Sequence, residues 1–341
     1  MIEVTEIRGG TPESVHGVEG VVVDAQGRVL AATGRPDFAT FFRSSAKPFQ
    51  MLPLVERGHA DALALPDRLL ALMAASHNGE PKHVEGARDI LQACGRSEAD
   101  LECGFHFPED PETAGLLHKG ALEKSAIYNN CSGKHAGMIA LAVREGWPVE
   151  GYTRADHPVQ VAALGAIAEV CGVDAQRMPI GTDGCSAPNP GMTLIDMARG
   201  YARFAVAPGG TPLARIRAAM AAHPDMVAGR NRFCTAVMNS TKGRLVTKTG
   251  AEGLQCVAIP SLGLGIVVKA RDGARRAVAP ALVGWLRALD LISLEEEEAL
   301  AAFARPANVN HRSIVVGTLA AAEFPAWRVA PEPSPAGASK E

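Results

Sequence analysis

Aromatic side chains are scarce, at 5% of the 341 residues. That argues against an aromatic-lined binding groove and, with alanine and glycine abundant, for helices packed closely on a sheet. An excess of charge of either sign is also lacking. The formal net charge of -3 provides no sequence-wide positive field to hold a phosphate polymer or an anionic membrane, which excludes nucleic acid as an expected partner. No apolar run is long enough to span a bilayer. The opening Met1-Ile2-Glu3-Val4-Thr5-Glu6 has neither the basic start nor the apolar stretch of an export signal, so a cytoplasmic location is expected. Paired Cys-x-x-Cys motifs are absent: the seven thiols, at 94, 103, 131, 171, 185, 234 and 256, are odd in number and scattered. Reduced cysteines are expected, most of them acting as small buried hydrophobes. What is present is 47% hydrophobic and 21% charged composition, enough to bury a sizeable core and to exclude wholesale disorder.

Strand signals come first. His16 to Thr33 clusters β-branched residues around the turn-forming Asp24-Ala25-Gln26-Gly27-Arg28, which predicts a hairpin. From about Ser44 onward the spacing becomes helical, over Asp67 to Ala75, His83 to Ala93, Lys134 to Glu145, Pro158 to Cys171, Met192 to Phe204 and Leu213 to Ala222. Short β-rich runs return at Arg244 to Lys248 and Gly263 to Lys269, followed by helices near Arg275 to Leu289 and Ser293 to Phe303. Strands at both ends with helices between them predict an α/β fold: an α-β-α sandwich, its sheet built from N- and C-terminal strands. One unit over residues 1–330 is expected, with a helical insert over about 44–240 and a disordered tail at 331–341.

Three short motifs carry chemistry. Arg43-Ser44-Ser45-Ala46-Lys47-Pro48 reads Ser-x-x-Lys, and three-residue spacing on one helical turn would let the Lys47 amine reach the Ser44 hydroxyl. Alone it would usually be a helix cap followed by a surface lysine. Ser76-His77-Asn78 reads Ser-x-Asn, and Lys248-Thr249-Gly250 reads Lys-Thr-Gly, with Ala251 offering a further backbone N–H beside the lysine. In this order the three form the set used by serine enzymes that bind an amide and pass through an acyl-enzyme. Penicillin-recognising enzymes normally carry an Asp or a Tyr-containing element at the second motif, are larger and are exported. This chain departs from that pattern, and a small intracellular amide is the expected substrate.

A second polar cluster pairs Asn130-Cys131-Ser132-Gly133-Lys134-His135 with Gly181-Thr182-Asp183-Gly184-Cys185-Ser186. Taken from the residues, Cys131, His135 and Cys185 would make an open zinc site, two thiolates and one further ligand leaving a fourth position free. The alternative is two buried cysteines and a histidine facing its helix. Spacing does not decide between them.

These blocks, with Ser76-His77-Asn78-Gly79-Glu80 and Lys248-Thr249-Gly250-Ala251-Glu252-Gly253, resemble the Rhizobium etli-type L-asparaginases, also called the asparaginase II family, over nearly the whole chain. The resemblance implies a homodimeric cytosolic enzyme with a fold like that of serine β-lactamases and glutaminases, hydrolysing L-asparagine to L-aspartate and ammonia. It implies two Ser-Lys tandems, Ser44 with Lys47 and Ser76 with Lys248. It also implies one zinc ion per chain near them, held by Cys131, Cys185 and Lys134 in place of His135. A lysine ligates only as the neutral amine, so a depressed lysine pKa is expected there. His135 and Asp183 would then contact substrate or fix ligand geometry, and Arg43 would anchor the α-carboxylate. Two other functions stay open: a related amidase acting on glutamine or another small amide, and a non-catalytic zinc- or amino-acid-binding module.

Overall fold

The computed structural model describes residues 1–324, so the expected tail at 331–341, and the end of the expected unit, lie outside the described residues. Eleven strands are described: β1 Ile2–Arg8, β2 Thr11–Asp24, β3 Val29–Thr33, β4 Ala39–Phe41, β5 Ile180–Thr182, β6 Pro188–Thr193, β7 Val246–Gly250, β8 Leu254–Ile259, β9 Leu264–Ala270, β10 Ala307–Val309 and β11 Val315–Ala321. The main sheet runs β10-β11-β1-β2-β9-β8-β7, with β3 also on β2, and every pairing in it is antiparallel.

Period-two alternation gives this sheet two buried faces. Val18 and Val22 of β2, Val257 and Ile259 of β8 and Ile266 and Val268 of β9 join a core with Trp285 and Leu286 of the helix Val278–Ala288. Val21, Val23, Cys256, Ala258 and Val267 face the opposite way, into the core shared with the helical insert. The fold is therefore an α-β-α sandwich whose sheet comes from the two ends of the chain. Seven residue pairings lock the N-terminal hairpin to β9, for example Val21↔Val267 and Val22↔Ile266.

The helices occur where the periodicity placed them, with shifts of a residue or two at their ends: Asp67–Met73, Pro81–Ala93, Ser132–Glu145, Pro158–Cys171, Leu194–Val206 and Pro212–Ala222. Met192 and Thr193, expected in a helix, belong to β6. Thr193 ends that strand and caps the next helix, its side chain accepting from the Asp196 N–H. A small sheet, β4-β6-β5, which the sequence pattern did not reveal, ties the segment just before the insert to two strands within it. This sheet positions both polar clusters. No helix among the described residues is long and apolar enough to cross a membrane.

Candidate active site

The first motif follows β4 directly. Phe42 is fully buried against Phe49 and Tyr201, and its N–H donates to Pro190 O at 2.8 Å. Arg43 then takes a φ of +51°, a left-handed conformation that a side chain with a Cβ adopts at a cost of about 1–3 kcal/mol. It is held there by its N–H, which donates to Asn189 Oδ1 at 2.9 Å. The 3₁₀ turn Arg43–Ala46 leads into the helix Lys47–Gln50, with Pro48 in its first turn. Ser45 Oγ donates to Lys248 O at 3.1 Å, and Tyr201 Oη donates to Ser45 O at 2.8 Å. The turn is thereby fixed to β7. Gly250 allows this approach, since a Cβ there would lie 3.0 Å from Ser45 Oγ.

The second motif is an extended segment pinned on both sides: Ser76 N–H donates to Val227 O, His77 N–H to Asn130 O and Asn78 N–H to Ala228 O. Lys47, Ser76 and Lys248 are 1%, 4% and 0% exposed and meet at one point. Ser76 Oγ lies 3.0 Å from Lys47 Nζ and 2.8 Å from Lys248 Nζ. Lys47 also donates to Ala75 O at 2.5 Å, and Lys248 to Thr249 O at 2.9 Å. A hydroxyl between two amines has one proton to give, so one amine must donate to it and the other can accept from it. Lys248 suits the accepting role: burial, and then the nearby Lys47, push its pKa well below the ordinary lysine value.

Ser44 is half-buried, and among the described residues its hydroxyl makes no hydrogen bond. The expected Ser44–Lys47 contact is therefore not closed. The two residues straddle the change from 3₁₀ to α pitch, and the Lys47 amine is drawn to Ala75 O and Ser76 Oγ. Ala251 lies exposed in the turn after β7.

The second cluster forms beside the first. Cys131 caps the helix Ser132–Glu145, and Cys185 occupies the tip of the β5–β6 hairpin, where Ser186 takes a φ of +70°. Lys134 Nζ lies 2.9 Å from Cys185 Sγ. The hydrogen bond from Cys131, then Lys134 and His135, hold the Cys185 thiol far below the ordinary range, against the effect of burial. Cys131 moves the other way, raised by that same hydrogen bond and by burial. Burial opposes a charge on Lys134, yet Cys185 and Cys131 outweigh it and raise its pKa. The shift runs opposite to the depression that zinc ligation by this amine would require, because its neighbours are sulfurs ready to take negative charge.

His135 is fully buried and lowered to about 4 by burial and by Lys134. Its Nδ1 lies 2.6 Å from Tyr152 Oη, which itself accepts from the Glu102 N–H. Nδ1 is the acceptor beside the Tyr152 hydroxyl, whose other neighbour is a donor, so Tyr152 donates to Nδ1 and the imidazole proton sits on Nε2. Nε2 has no nitrogen or oxygen partner and faces the Cys185 sulfur. Among the described residues no three His, Cys, Asp or Glu side chains are grouped to hold a metal. The expected Cys131–His135–Cys185 grouping is not found among the described residues, and the Lys134 amine lies 2.9 Å from the Cys185 sulfur. Two sulfurs and an amine, with the imidazole Nε2 turned toward Cys185, fit the donor chemistry of zinc.

The two clusters are joined. Arg43 binds Asp183 Oδ1 through Nε and Nη2, each at 2.9 Å, tying the serine turn to the Cys185 hairpin. His77 accepts the Gly79 N–H on Nδ1 and so donates through Nε2 to Ser132 Oγ at 3.1 Å. Both Arg43 and Asp183, expected to face substrate, thus have their charges already paired with each other.

Arg232 was not among the sequence candidates. Nearly buried, it donates to Asn78 Oδ1 at 2.7 Å and pairs with Glu109 at 3.0 Å. Asn78 Nδ2 donates in turn to Arg230 O at 2.9 Å, so both ends of the motif amide are engaged within the protein. The run Gly229-Arg230-Asn231-Arg232 carries no pattern that would have singled it out.

A serine held between buried amines inside an α/β sandwich is the build of a hydrolase that acts on amides or esters. Residues 4–321 match the family L-asparaginase II, and the chain belongs to that family: it is an amide-hydrolysing enzyme. Comparison with curated proteins gives no match. Among solved structures the chain is similar to a β-lactamase from Mycobacterium bovis, at 16% identity and a TM-score of 0.39 over 84% of this chain and 95% of that one. It is also similar to a putative β-lactamase from Bacteroides dorei, at 12% and 0.41 over 74% and 84%. A third is EstCE1, a hydrolase with promiscuous acyltransferase activity, at 11% and 0.39 over 83% and 93%.

Proposed function

We propose that this protein is an L-asparaginase of the Rhizobium etli type, releasing L-aspartate and ammonia through an acyl-enzyme on Ser44. The observation that carries the reading is the convergence of Lys47, Ser76 and Lys248 beneath the Ser44 turn. A nucleophile must be reachable by substrate, and Ser44 is half-buried whereas Ser76 is 4% exposed. Ser44 Oγ attacks the side-chain carboxamide carbon as Lys47 takes its proton. Ser76 passes a proton between the two amines, and Lys248, neutral because it is buried beside a second amine, is the sink that lets Lys47 act as a base. The proton then goes to the departing nitrogen, and water hydrolyses the ester. The N–H groups of Ala251 and Ser44 are the donors offered to the oxyanion, those of Arg43 and Ser45 being engaged with Asn189 and Phe42.

Arg43, paired with Asp183, anchors the α-carboxylate, and His135 holds the Cys185 side of the hollow. Cys131, Cys185 and Lys134 would hold zinc, which when bound supplies a positive charge to orient or polarise the substrate. The enzyme acts as a cytoplasmic homodimer in this reading, which rests on the family resemblance.

The test is ammonia release from asparagine, glutamine and a simple ester, beside the Ser44→Ala protein. Asparagine preference that is abolished in Ser44→Ala supports the proposal. Equal turnover of glutamine or of the ester moves the chain to a general amidase, and binding with no ammonia released makes it a binding module. A second nucleophile is also worth testing, since Ser76 Oγ is the hydroxyl that touches both amines. An acyl adduct mapped to Ser76 would assign the attack there.

A further inference from the structure

The contact between Lys134 and Cys185 has chemistry of its own. Their side chains come from the helix Ser132–Glu145 and from the β5–β6 hairpin tip, 51 positions apart in sequence. The two residues are 2% and 3% exposed, and Nζ and Sγ lie 2.9 Å apart. A bent N–O–S linkage spans slightly less than this, so one oxygen atom could join them with little movement of either backbone. The hairpin gives an oxidant its way in, because Gly184 and Ser186, on either side of Cys185, are both exposed. Cys131, the neighbouring thiol, hydrogen-bonds both Asn130 Oδ1, at 3.1 Å, and Cys185, so a Cys131–Cys185 disulfide is the competing product, while the Lys134 amine, 2.9 Å from the Cys185 sulfur, needs only one oxygen atom to be joined to it.

We propose that Lys134 and Cys185 are an oxidative cross-linking site, forming a lysine–cysteine N–O–S bridge with a peroxide as co-reactant. In the first step the Cys185 sulfur attacks hydrogen peroxide. An S–O bond forms, the O–O bond breaks, and water leaves a sulfenic acid. In the second step another peroxide accepts two electrons as the N–O bond forms between Lys134 Nζ and the sulfenic oxygen, with loss of two waters. The sum is one amine, one thiol and two peroxides giving the bridge and three waters, a four-electron oxidation. Thiols restore both side chains by reducing the linkage. The cross-link itself is independent of the catalytic reading. Its consequence rests on that reading: the bridge removes an amine and a thiol from the hollow together and clamps the hairpin whose Asp183 holds Arg43 beside Ser44.

The experiment uses the full chain, reduced, freed of metal with a chelator and titrated with hydrogen peroxide, followed by intact mass and peptide mapping. The expected product is about 14 Da heavier than the starting protein, one oxygen gained and two hydrogens lost. It should map to linked peptides containing Lys134 and Cys185 and revert with dithiothreitol. Cys131→Ser should still form it, and Lys134→Arg should instead carry oxygen on sulfur alone. A chain about 2 Da lighter with Cys131 joined to Cys185 would overturn the proposal. So would sulfur oxidation without a cross-link in the wild type, or a heavier species that persists in Lys134→Arg. If Lys134→Arg does not fold, the wild-type and Cys131→Ser peptide maps decide alone. Ammonia release, measured before and after oxidation, is expected to fall with the bridged fraction and to return on reduction. A wild type that releases none before oxidation breaks the functional reading and leaves the mass result to decide the bridge.

Discussion

Two lysines in this hollow are almost equally buried, Lys248 at 0% and Lys134 at 2% exposure, yet their proton affinities move in opposite directions. Burial penalises the charge in both cases. The difference comes from the partners: a hydroxyl, a backbone carbonyl and another amine surround Lys248, whereas two thiols surround Lys134. Depth alone therefore does not make a lysine a base; the company it keeps decides whether the amine is a proton acceptor or half of an ion pair.

The comparison breaks most sharply at Lys248. Lys248→Met removes the neutral amine and is expected to lower asparagine turnover by a factor of about 10²–10⁴. Lys248→Arg should do no better, since guanidinium stays protonated. Retention of most ammonia release in either variant would remove the relay.

At the ion pair beside the serine turn, Arg43→Ala is expected to raise KM by about tenfold or more with a smaller effect on kcat, as loss of a carboxylate anchor requires. A fall in kcat alone would make Arg43 a positioning residue for Ser44. Gly250→Ala is expected to destabilise the protein by about 1–3 kcal/mol, because its Cβ would crowd Ser45 Oγ at 3.0 Å and Leu254 at 3.1 Å. Denaturant unfolding measures this, and an unchanged midpoint would show that the turn and β7 are not closely fitted.

The smallest effect is on stability against pH. Lys248 binds its proton more weakly when folded, so between its folded pKa and the ordinary lysine value the unfolded chain holds a proton that the native chain lacks. Stability from this group therefore rises with pH across that window and is lowest below it, where the native amine must be charged while buried. The slope of unfolding free energy against pH should be shallower in Lys248→Met. An identical slope would mean that the site carries no such shift.

Much of this was legible in the sequence, for identifiable reasons. The two-faced sheet follows from alternation in β2 and β9, and helices such as Pro158–Cys171 follow from apolar spacing with a proline start and a glycine stop. That Ser76 pairs with Lys248 was implied by the family resemblance and not by spacing, since the side chains that meet at Ser76 come from 29 and 172 positions away. The small sheet was not, since three-residue strands such as β4 and β5 leave no period to read. The unclosed Ser44–Lys47 contact was hidden because a 3₁₀-to-α junction looks like one helical turn in sequence. The residues alone offer His135 as a zinc ligand and the family resemblance puts Lys134 in its place, while the tautomer of His135 depends on Tyr152 and Glu102, 17 and 33 positions away. The direction of the Lys134 shift depends on a sulfur 51 positions away, and no local pattern reports such a neighbour.

The most direct measurement is a nitrogen-detected NMR titration of the two amines in metal-free protein, with Lys248 and Lys134 assigned by substitution. The account predicts that Lys248 loses its proton well below the ordinary value of about 10.4 while Lys134 keeps its proton above it. A Lys248 that titrates at or above that value, in a folded chain, would contradict the claim that a neutral amine stands ready behind the serines.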